Sequence, residues 1–128
     1  MTPEGGRLVY IVDDVEAVRD STELLLLSDG IAAKAFGSLH RFLAAFDPSR
    51  AACQVLDLHM PQMSGLELLE ILRERKVRCP AIIVSGRREA ALDLALREAG
   101  ALAILSKPAN DEEILQLIRG AISGDGHT

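Results

Sequence analysis

Gln54-Val55-Leu56-Asp57-Leu58-His59-Met60-Pro61-Gln62-Met63-Ser64-Gly65 is the stretch that decides how this chain is read. A nearly apolar run ends in one aspartate, and a Met-Pro turn and a Ser-Gly helix start follow it. Proline lacks the N–H that a central strand must donate, so the strand predicted here stops close to Asp57. One carboxylate is left at the mouth of a buried strand, where charge is costly without a partner.

Working outward, four more short apolar runs have the character of buried strands. Leu8 to Val12 ends at Asp13-Asp14; Ile31 to Phe36 is Ala-rich and carries Lys34, as an edge strand does. Ala52 to Asp57 is the third strand, Ala81 to Val84 ends at Ser85-Gly86, and Ala101 to Leu105 ends at Ser106-Lys107-Pro108. Helical patterns fill the intervals. Val15 to Ser28 offers Ala17, Val18, Leu24, Leu25 and Leu27 as an apolar face, with Gly30 as its stop. Ser38 caps a helix with Leu39, Phe42, Leu43 and Phe46 at i, i+3, i+4 and i+7, which Asp47-Pro48 ends. Ser64-Gly65-Leu66-Glu67 has the form of a capping box before Leu68, Leu69, Ile71 and Leu72. A helix is expected over about residues 88–99, stopping at Gly100, and a last one behind Asn110 with a stripe of Ile114, Leu117, Ile118, Ala121 and Ile122.

Five strands alternating with five helices predict an α/β fold, an open doubly wound five-stranded parallel sheet with helices on both faces. At 128 residues the chain fits one domain over residues 1–128, with a core over about 7–122 and a frayed tail over 124–128. With 48% hydrophobic but only 3% aromatic residues, the core is expected to be aliphatic. The net charge of −5 argues against a basic face that grips nucleic acid. Cys53 and Cys79 lack metal-ligand spacing and read as reduced, structural thiols. Neither a signal-peptide core nor a membrane-length apolar run is present, so a cytoplasmic protein is expected.

The polar residues that interrupt the apolar strands fall at one place: Asp13 and Asp14 after the first, Asp57 at the third, Ser85 at the fourth, Lys107 after the fifth. Ligands of doubly wound sheets bind at that C-terminal edge, where strand order reverses. An order of 2-1-3-4-5 would bring the three carboxylates into one crevice. The sequence does not prove that order, but right-handed crossovers and the edge-like second strand favour it. Carboxylates so close each tend to keep a proton unless a cation is supplied, and Mg²⁺ (or Mn²⁺) suits a site of few carboxylates. Lys107 adds positive charge, and Ser85 and the N–H groups near Gly86 add donors. Facing one carboxylate, these groups suit phosphoryl transfer to Asp57, which is alone on its strand. Each residue singly is an ordinary cap or turn residue; five of them at four strand ends in one register are hard to obtain from capping alone.

Ile11-Val12-Asp13-Asp14, Leu56-Asp57-Leu58-His59-Met60-Pro61, Met63-Ser64-Gly65, Val84-Ser85-Gly86 and Lys107-Pro108 together resemble a response-regulator receiver domain, the phosphoacceptor module of two-component signalling. The resemblance runs from Val9 to about Ile122 and implies a flavodoxin-like fold of strand order 2-1-3-4-5. It implies that Asp57 accepts a phosphoryl group from a sensor histidine kinase. Asp14, Asp57 and the backbone carbonyl of His59 would hold the metal, with Asp13 acting through water. Lys107 and Ser85 would contact the phosphoryl oxygens, and a cis Lys107-Pro108 peptide would aim the lysine. Phosphorylation would then shift the surface of the fourth helix, fifth strand and fifth helix, through which partners bind and a phosphorylation-dependent homodimer forms. No membrane contact and no direct nucleic-acid binding by this segment are implied.

Two departures from the family pattern stand out. Ile104 stands where an aromatic switch residue is usual, and His59 and Arg87 hold the positions that tune dephosphorylation. The closest likeness is to receivers of the nitrogen-fixation and aromatic-catabolism type, usually joined to a LuxR-like DNA-binding domain. The alternatives are a receiver from a hybrid histidine kinase, or a receiver-like interaction module that signals without phosphate. A dehalogenase-type phosphatase would need Asp-x-Asp after the first strand, which Asp13-Asp14-Val15 lacks.

Overall fold

The computed structural model describes residues 7–60 and 63–123. In chain order the elements are β1 (Leu8–Val12), α1 (Glu16–Ser28), β2 (Ala33–Phe36), α2 (Leu39–Ala45), β3 (Ala51–Asp57), α3 (Gly65–Glu74), β4 (Ala81–Ser85), α4 (Ala90–Glu98), β5 (Ala101–Ser106) and α5 (Asp111–Ser123). The strands form one parallel sheet in the order β2-β1-β3-β4-β5. The expected Pro61 turn and the tail from residue 124 lie outside the described residues.

Because side chains alternate along a strand, the sheet divides the core in two. Val9, Ile11, Cys53, Val55, Ile82, Val84 and Leu105 face α1 and α5, where they meet Leu26, Ile114 and Ile118. Tyr10, Val12, Leu56, Ile83 and Ile104 face α2, α3 and α4, against Leu39, Phe42, Leu68, Leu72 and Leu96. β1, β3 and β4 are buried along their whole length, which is why their sequences run without polar alternation. β2 is the half-exposed edge, with Lys34 in solvent.

The capping signals hold. Ser38 Oγ accepts from the Arg41 N–H at 3.1 Å, and Ser64 and Glu67 form the reciprocal capping box. Asn110 Oδ1 accepts from the Glu113 N–H at 3.0 Å. Gly30 and Gly100 sit at φ 79° and 108°, the left-handed stops that follow α1 and α4. Ile31 does not begin β2 as expected, because its N–H closes α1 by donating to the Leu26 carbonyl at 2.9 Å. α4 starts at Ala90 rather than near residue 88, with no side-chain cap.

The expected face of α1 is corrected. Leu26 is fully buried, whereas Ala17, Val18, Leu24 and Leu27 are exposed. Four successive leucines, Leu24 to Leu27, carry no period, so composition cannot say which of them points inward. The expectation of an aliphatic core also needs amending on one side of the sheet. The single tyrosine and all three phenylalanines gather there, with Tyr10 and Phe42 ring centroids 5.3 Å apart, edge to face, and Tyr10 and Phe46 5.1 Å apart. The Tyr10 hydroxyl accepts from the Asp47 N–H at 3.0 Å, so burying this ring leaves its polar tip satisfied.

Neither cysteine is in a disulfide. Burial pushes the Cys53 thiol up to about 12, and nearby Cys79 adds to the rise. The folded protein at pH 8 is therefore expected to react quickly at the half-buried Cys79 and not at Cys53, until it unfolds. Thiol titration with and without denaturant checks this; two fast equivalents from the native protein would contradict it.

Candidate functional site

Asp13 follows β1, Asp57 closes β3, Ser85 closes β4 and Lys107 follows β5. β1 and β3 are paired neighbours, so parallel strands with matched ends bring their terminal carboxylates together. Asp13, Asp14 and Asp57 each offer an oxygen, and these oxygens lie within 4.8 Å of one another. Asp13 and Asp57 are buried and Asp14 is exposed. Lys107 reaches in from the far side of β4, its Nζ 3.1 Å from Asp57 Oδ2 and 3.4 Å from Asp13 Oδ2. Its backbone N–H donates to the Ser85 carbonyl at 2.8 Å, and the Lys107-Pro108 peptide is cis. The other oxygens are also held: Asp57 Oδ1 accepts from the His59 N–H at 3.2 Å, and Asp13 Oδ1 from the Val15 N–H at 2.9 Å.

Burial pushes the Asp57 carboxyl above the usual carboxylate range; the Lys107 hydrogen bond and charge pull it back, the Asp13 charge adds to the rise, and the His59 N–H lowers it slightly. Burial works against the Lys107 ammonium, but its hydrogen bond and charge pairing with Asp57, joined by Asp13, outweigh that and hold it above its ordinary value. One ammonium thus faces three carboxylates, two of them buried. The pocket is short of positive charge, and its donors are all carboxylate oxygens, the set that a hard divalent cation such as Mg²⁺ prefers. A cleft of about 430 Å³ opens beside Asp57 between α1 and the start of α5; Val18, Val55, Val84 and Ile114 line it and keep one side of the carboxylate apolar.

Ser85 is buried at this edge, but its hydroxyl is turned into a local ring. Oγ donates to the Arg87 carbonyl at 2.7 Å and accepts from the Arg87 N–H at 3.1 Å. His59 and Arg87 are both exposed, two residues beyond Asp57 and Ser85 respectively. Ile104 is 6% exposed, packed on the α2/α3/α4 side of the sheet.

Two arginines that the sequence did not single out organise the surroundings. Arg88 pairs with Asp93 of α4 at 2.5 Å and donates to the Ile104 carbonyl at 3.2 Å and Ser106 Oγ at 3.4 Å. It thereby ties the β4–α4 loop to both α4 and β5. Arg19 of α1 donates from Nη1 to the Asp13 carbonyl at 2.8 Å. Neither has a sequence signature, because a long side chain reaching a backbone carbonyl demands no residue type at the other end.

An open parallel sheet whose C-terminal edge holds buried carboxylates against one lysine defines an α/β domain with an acidic pocket that could hold a cation. Comparison with known proteins narrows the class. Residues 9–119 match the family model of the response regulator receiver domain. The chain is 38% identical over 113 residues to the transcriptional regulatory protein FixJ of Rhizobium meliloti, covering 88% of this chain and 55% of that protein. It is 35% identical over 115 residues to the response regulator protein TodT of Pseudomonas putida, covering 90% and 51%. The crystal structure of FixJ-N superposes with a TM-score of 0.81 at 37% identity, covering 91% of this chain and 94% of that one. The chain belongs to the response regulator receiver domain family. It spans about half the length of the curated relatives it matches.

Proposed function

We propose that residues 1–128 form one receiver domain that works as a phosphorylation-activated switch, with Asp57 as its phosphoacceptor. The observation that carries this is the position of Lys107 Nζ, 3.1 Å from Asp57 and 3.4 Å from Asp13 across a buried acidic pocket. Asp57, Asp14 and the His59 carbonyl would hold Mg²⁺ (or Mn²⁺), with Asp13 acting through water. Bound there, the metal neutralises the carboxylates and the incoming phosphoryl oxygens. An Asp57 oxygen attacks the phosphorus of a phosphohistidine on a sensor kinase, the P–N bond breaks, and its electron pair stays with the imidazole. Lys107 takes up charge on the phosphoryl oxygens. Exposed His59 and Arg87 flank the route by which water later hydrolyses the acyl phosphate. The domain promotes only its own phosphorylation and dephosphorylation.

The signal leaves through Ser85. A phosphoryl group on Asp57 draws the Ser85 hydroxyl inward, breaking its two hydrogen bonds to Arg87 and freeing the loop that Arg88 ties to α4 and β5. This route reaches β5 through the Ile104 backbone and needs no aromatic side chain at that position. Leu94 of α4 and Leu102 of β5, 59% and 45% exposed, give that face an apolar surface suited to a phosphorylation-dependent homodimer. The likeness to the transcriptional regulatory protein FixJ supports a role in transcriptional regulation, which would be exercised in the cytoplasm. No helix among the described residues is long and apolar enough to cross a membrane.

Incubation with acetyl phosphate and Mg²⁺ tests the switch. One phosphoryl group per chain is expected, with uptake blocked by a chelator; uptake unaffected by the chelator would contradict the metal's role. Ser85→Ala is expected to retain labelling within about tenfold. With beryllofluoride, its NMR shift changes should stay near the pocket, while those of the wild type extend to α4 and β5. Wild-type changes confined to the pocket would contradict the proposed transmission.

A further inference from the structure

Asp14 contributes to the acidic pocket from an exposed position, and its carboxylate makes no hydrogen bond among the described residues. Its placement therefore depends on the backbone that carries it, above all on the Asp13-Asp14 peptide. Besides the Lys107 ammonium 3.4 Å from its Oδ2, three contacts hold Asp13. Its N–H donates to the Phe36 carbonyl at 3.1 Å, its Oδ1 accepts from the Val15 N–H at 2.9 Å, and its carbonyl oxygen accepts from Arg19 Nη1 at 2.8 Å. The first two fix the residue in the sheet edge and the turn. Only the third acts on the peptide group shared with Asp14.

The guanidinium of Arg19 has a prepared seat. Gly37 follows the edge strand β2, and a Cβ at residue 37 would lie 2.9 Å from Arg19 Nη1 and 3.4 Å from its Cζ. Real Cβ atoms essentially never come within 3.0 Å of another heavy atom, so any larger residue at 37 must displace the guanidinium. The far end of an arginine moves readily. The expected consequence is a weakened or lost bond to the Asp13 carbonyl with little change elsewhere.

We propose that Arg19, seated against Gly37, is a positioning residue for the divalent-cation site: it orients the Asp13-Asp14 peptide so that both carboxylates meet one ion. This inference rests on the metal site described under the proposed function. It makes no use of the arginine's charge, and that fact supplies its sharpest test. A cation next to an acidic pocket repels a metal ion, so if charge alone mattered, neutralising Arg19 would tighten Mg²⁺ binding. If positioning matters, the same change loosens it, as loss of an outer hydrogen-bond partner to a metal site commonly does.

Mg²⁺ affinity is to be measured by calorimetric titration of the metal-free chain, alongside its unfolding temperature. Arg19→Met is expected to weaken Mg²⁺ binding roughly tenfold. Arg19→Lys, which keeps a donor of similar reach, should recover part of that loss. Gly37→Ala is expected to weaken binding similarly when Arg19 is present and to have no further effect in the Arg19→Met background, because the clash needs the guanidinium. Equal or tighter Mg²⁺ binding by Arg19→Met overturns the proposal, and so does a Gly37→Ala effect of the same size in both backgrounds. Wild-type protein that binds no Mg²⁺ overturns the metal site itself and this inference with it, which separates the two failures.

Discussion

Asp57→Asn protein, incubated with acetyl phosphate and Mg²⁺, is expected to take up at least about a hundredfold less phosphoryl group than the wild type, since an amide oxygen is a poor nucleophile and no other carboxylate has the same surroundings. Asp13 is the nearest competitor, but its Oδ1 is committed to the Val15 N–H and its Oδ2 lies farther from Lys107 than that of Asp57. The same substitution is expected to stabilise the metal-free fold. Burial raises the Asp57 carboxyl above its unfolded value, so the folded state holds this proton more tightly than the unfolded chain does. Its contribution to stability is then greatest in acid and is lost as pH rises through the folded pKa. At neutral pH the ionised carboxylate opposes folding, whereas an asparagine carries no charge to desolvate and its one carbonyl oxygen can still accept from either Lys107 or the His59 N–H. A gain of about 1–2 kcal/mol, a few degrees in Tm, is expected without metal and should shrink when Mg²⁺ is added. Thermal unfolding at pH 7 with and without Mg²⁺ checks it; an Asp57→Asn protein less stable than the metal-free wild type would contradict the electrostatics.

The second large effect is expected at Lys107. Lys107→Met removes the ammonium that faces Asp57 and Asp13 and leaves two buried carboxylates without their nearest countercharge. Removing one partner of a buried pair usually costs about 3–5 kcal/mol; with the Lys107 side chain 27% exposed, solvent reduces the expected loss to about 1–3 kcal/mol at pH 7. The folded pKa of Lys107 is raised, so its contribution is complete below its unfolded value and is lost only as pH rises through the folded value in the alkaline range. Neutral pH therefore shows the whole effect. In the variant the Asp57 carboxyl, already raised by burial, loses the Lys107 hydrogen bond and charge that lower it, so stability should recover as pH is lowered and it becomes neutral. Unfolding midpoints from pH 4 to 8 test this; a loss independent of pH would show that packing, not charge, is responsible. Labelling by acetyl phosphate should fall as well, because the phosphoryl oxygens lose their ammonium.

Much of the site is legible in the sequence because parallel strands end in register. Asp13, Asp57 and Ser85 close runs buried on both faces, Lys107 follows the apolar run of β5, and a polar residue ending a buried run emerges at the sheet edge. The strand order is favoured by β2 as an edge, marked by Lys34 and its alanines, but the family resemblance and not these runs implied it. Other features depend on packing or rotamers that no local pattern encodes. Leu26 rather than Leu24 or Leu27 is buried because the roll of α1 is set by the sheet beneath it. The Ser85 hydroxyl could equally face Asp57 or Arg87, and in this structure it faces Arg87. Arg88 meets the Ile104 carbonyl across 16 residues of sequence, a contact between a side chain and a backbone group that every residue possesses. Tyr10, Phe36, Phe42 and Phe46 gather although they come from two strands, a helix and the residue after that helix. The few aromatics suggested an aliphatic core but not where those four would go.

The claim on which all else depends is that Asp57 carries the phosphoryl group. An acyl phosphate is reduced by borohydride to the corresponding alcohol, which converts a phosphorylated aspartate to homoserine and leaves free carboxylates untouched. After incubation with acetyl phosphate and Mg²⁺, reduction and peptide mass spectrometry are expected to place homoserine at position 57, with none at positions 13 and 14. Homoserine at 13 or 14, or none in a chain whose intact mass shows a phosphoryl group, would contradict it.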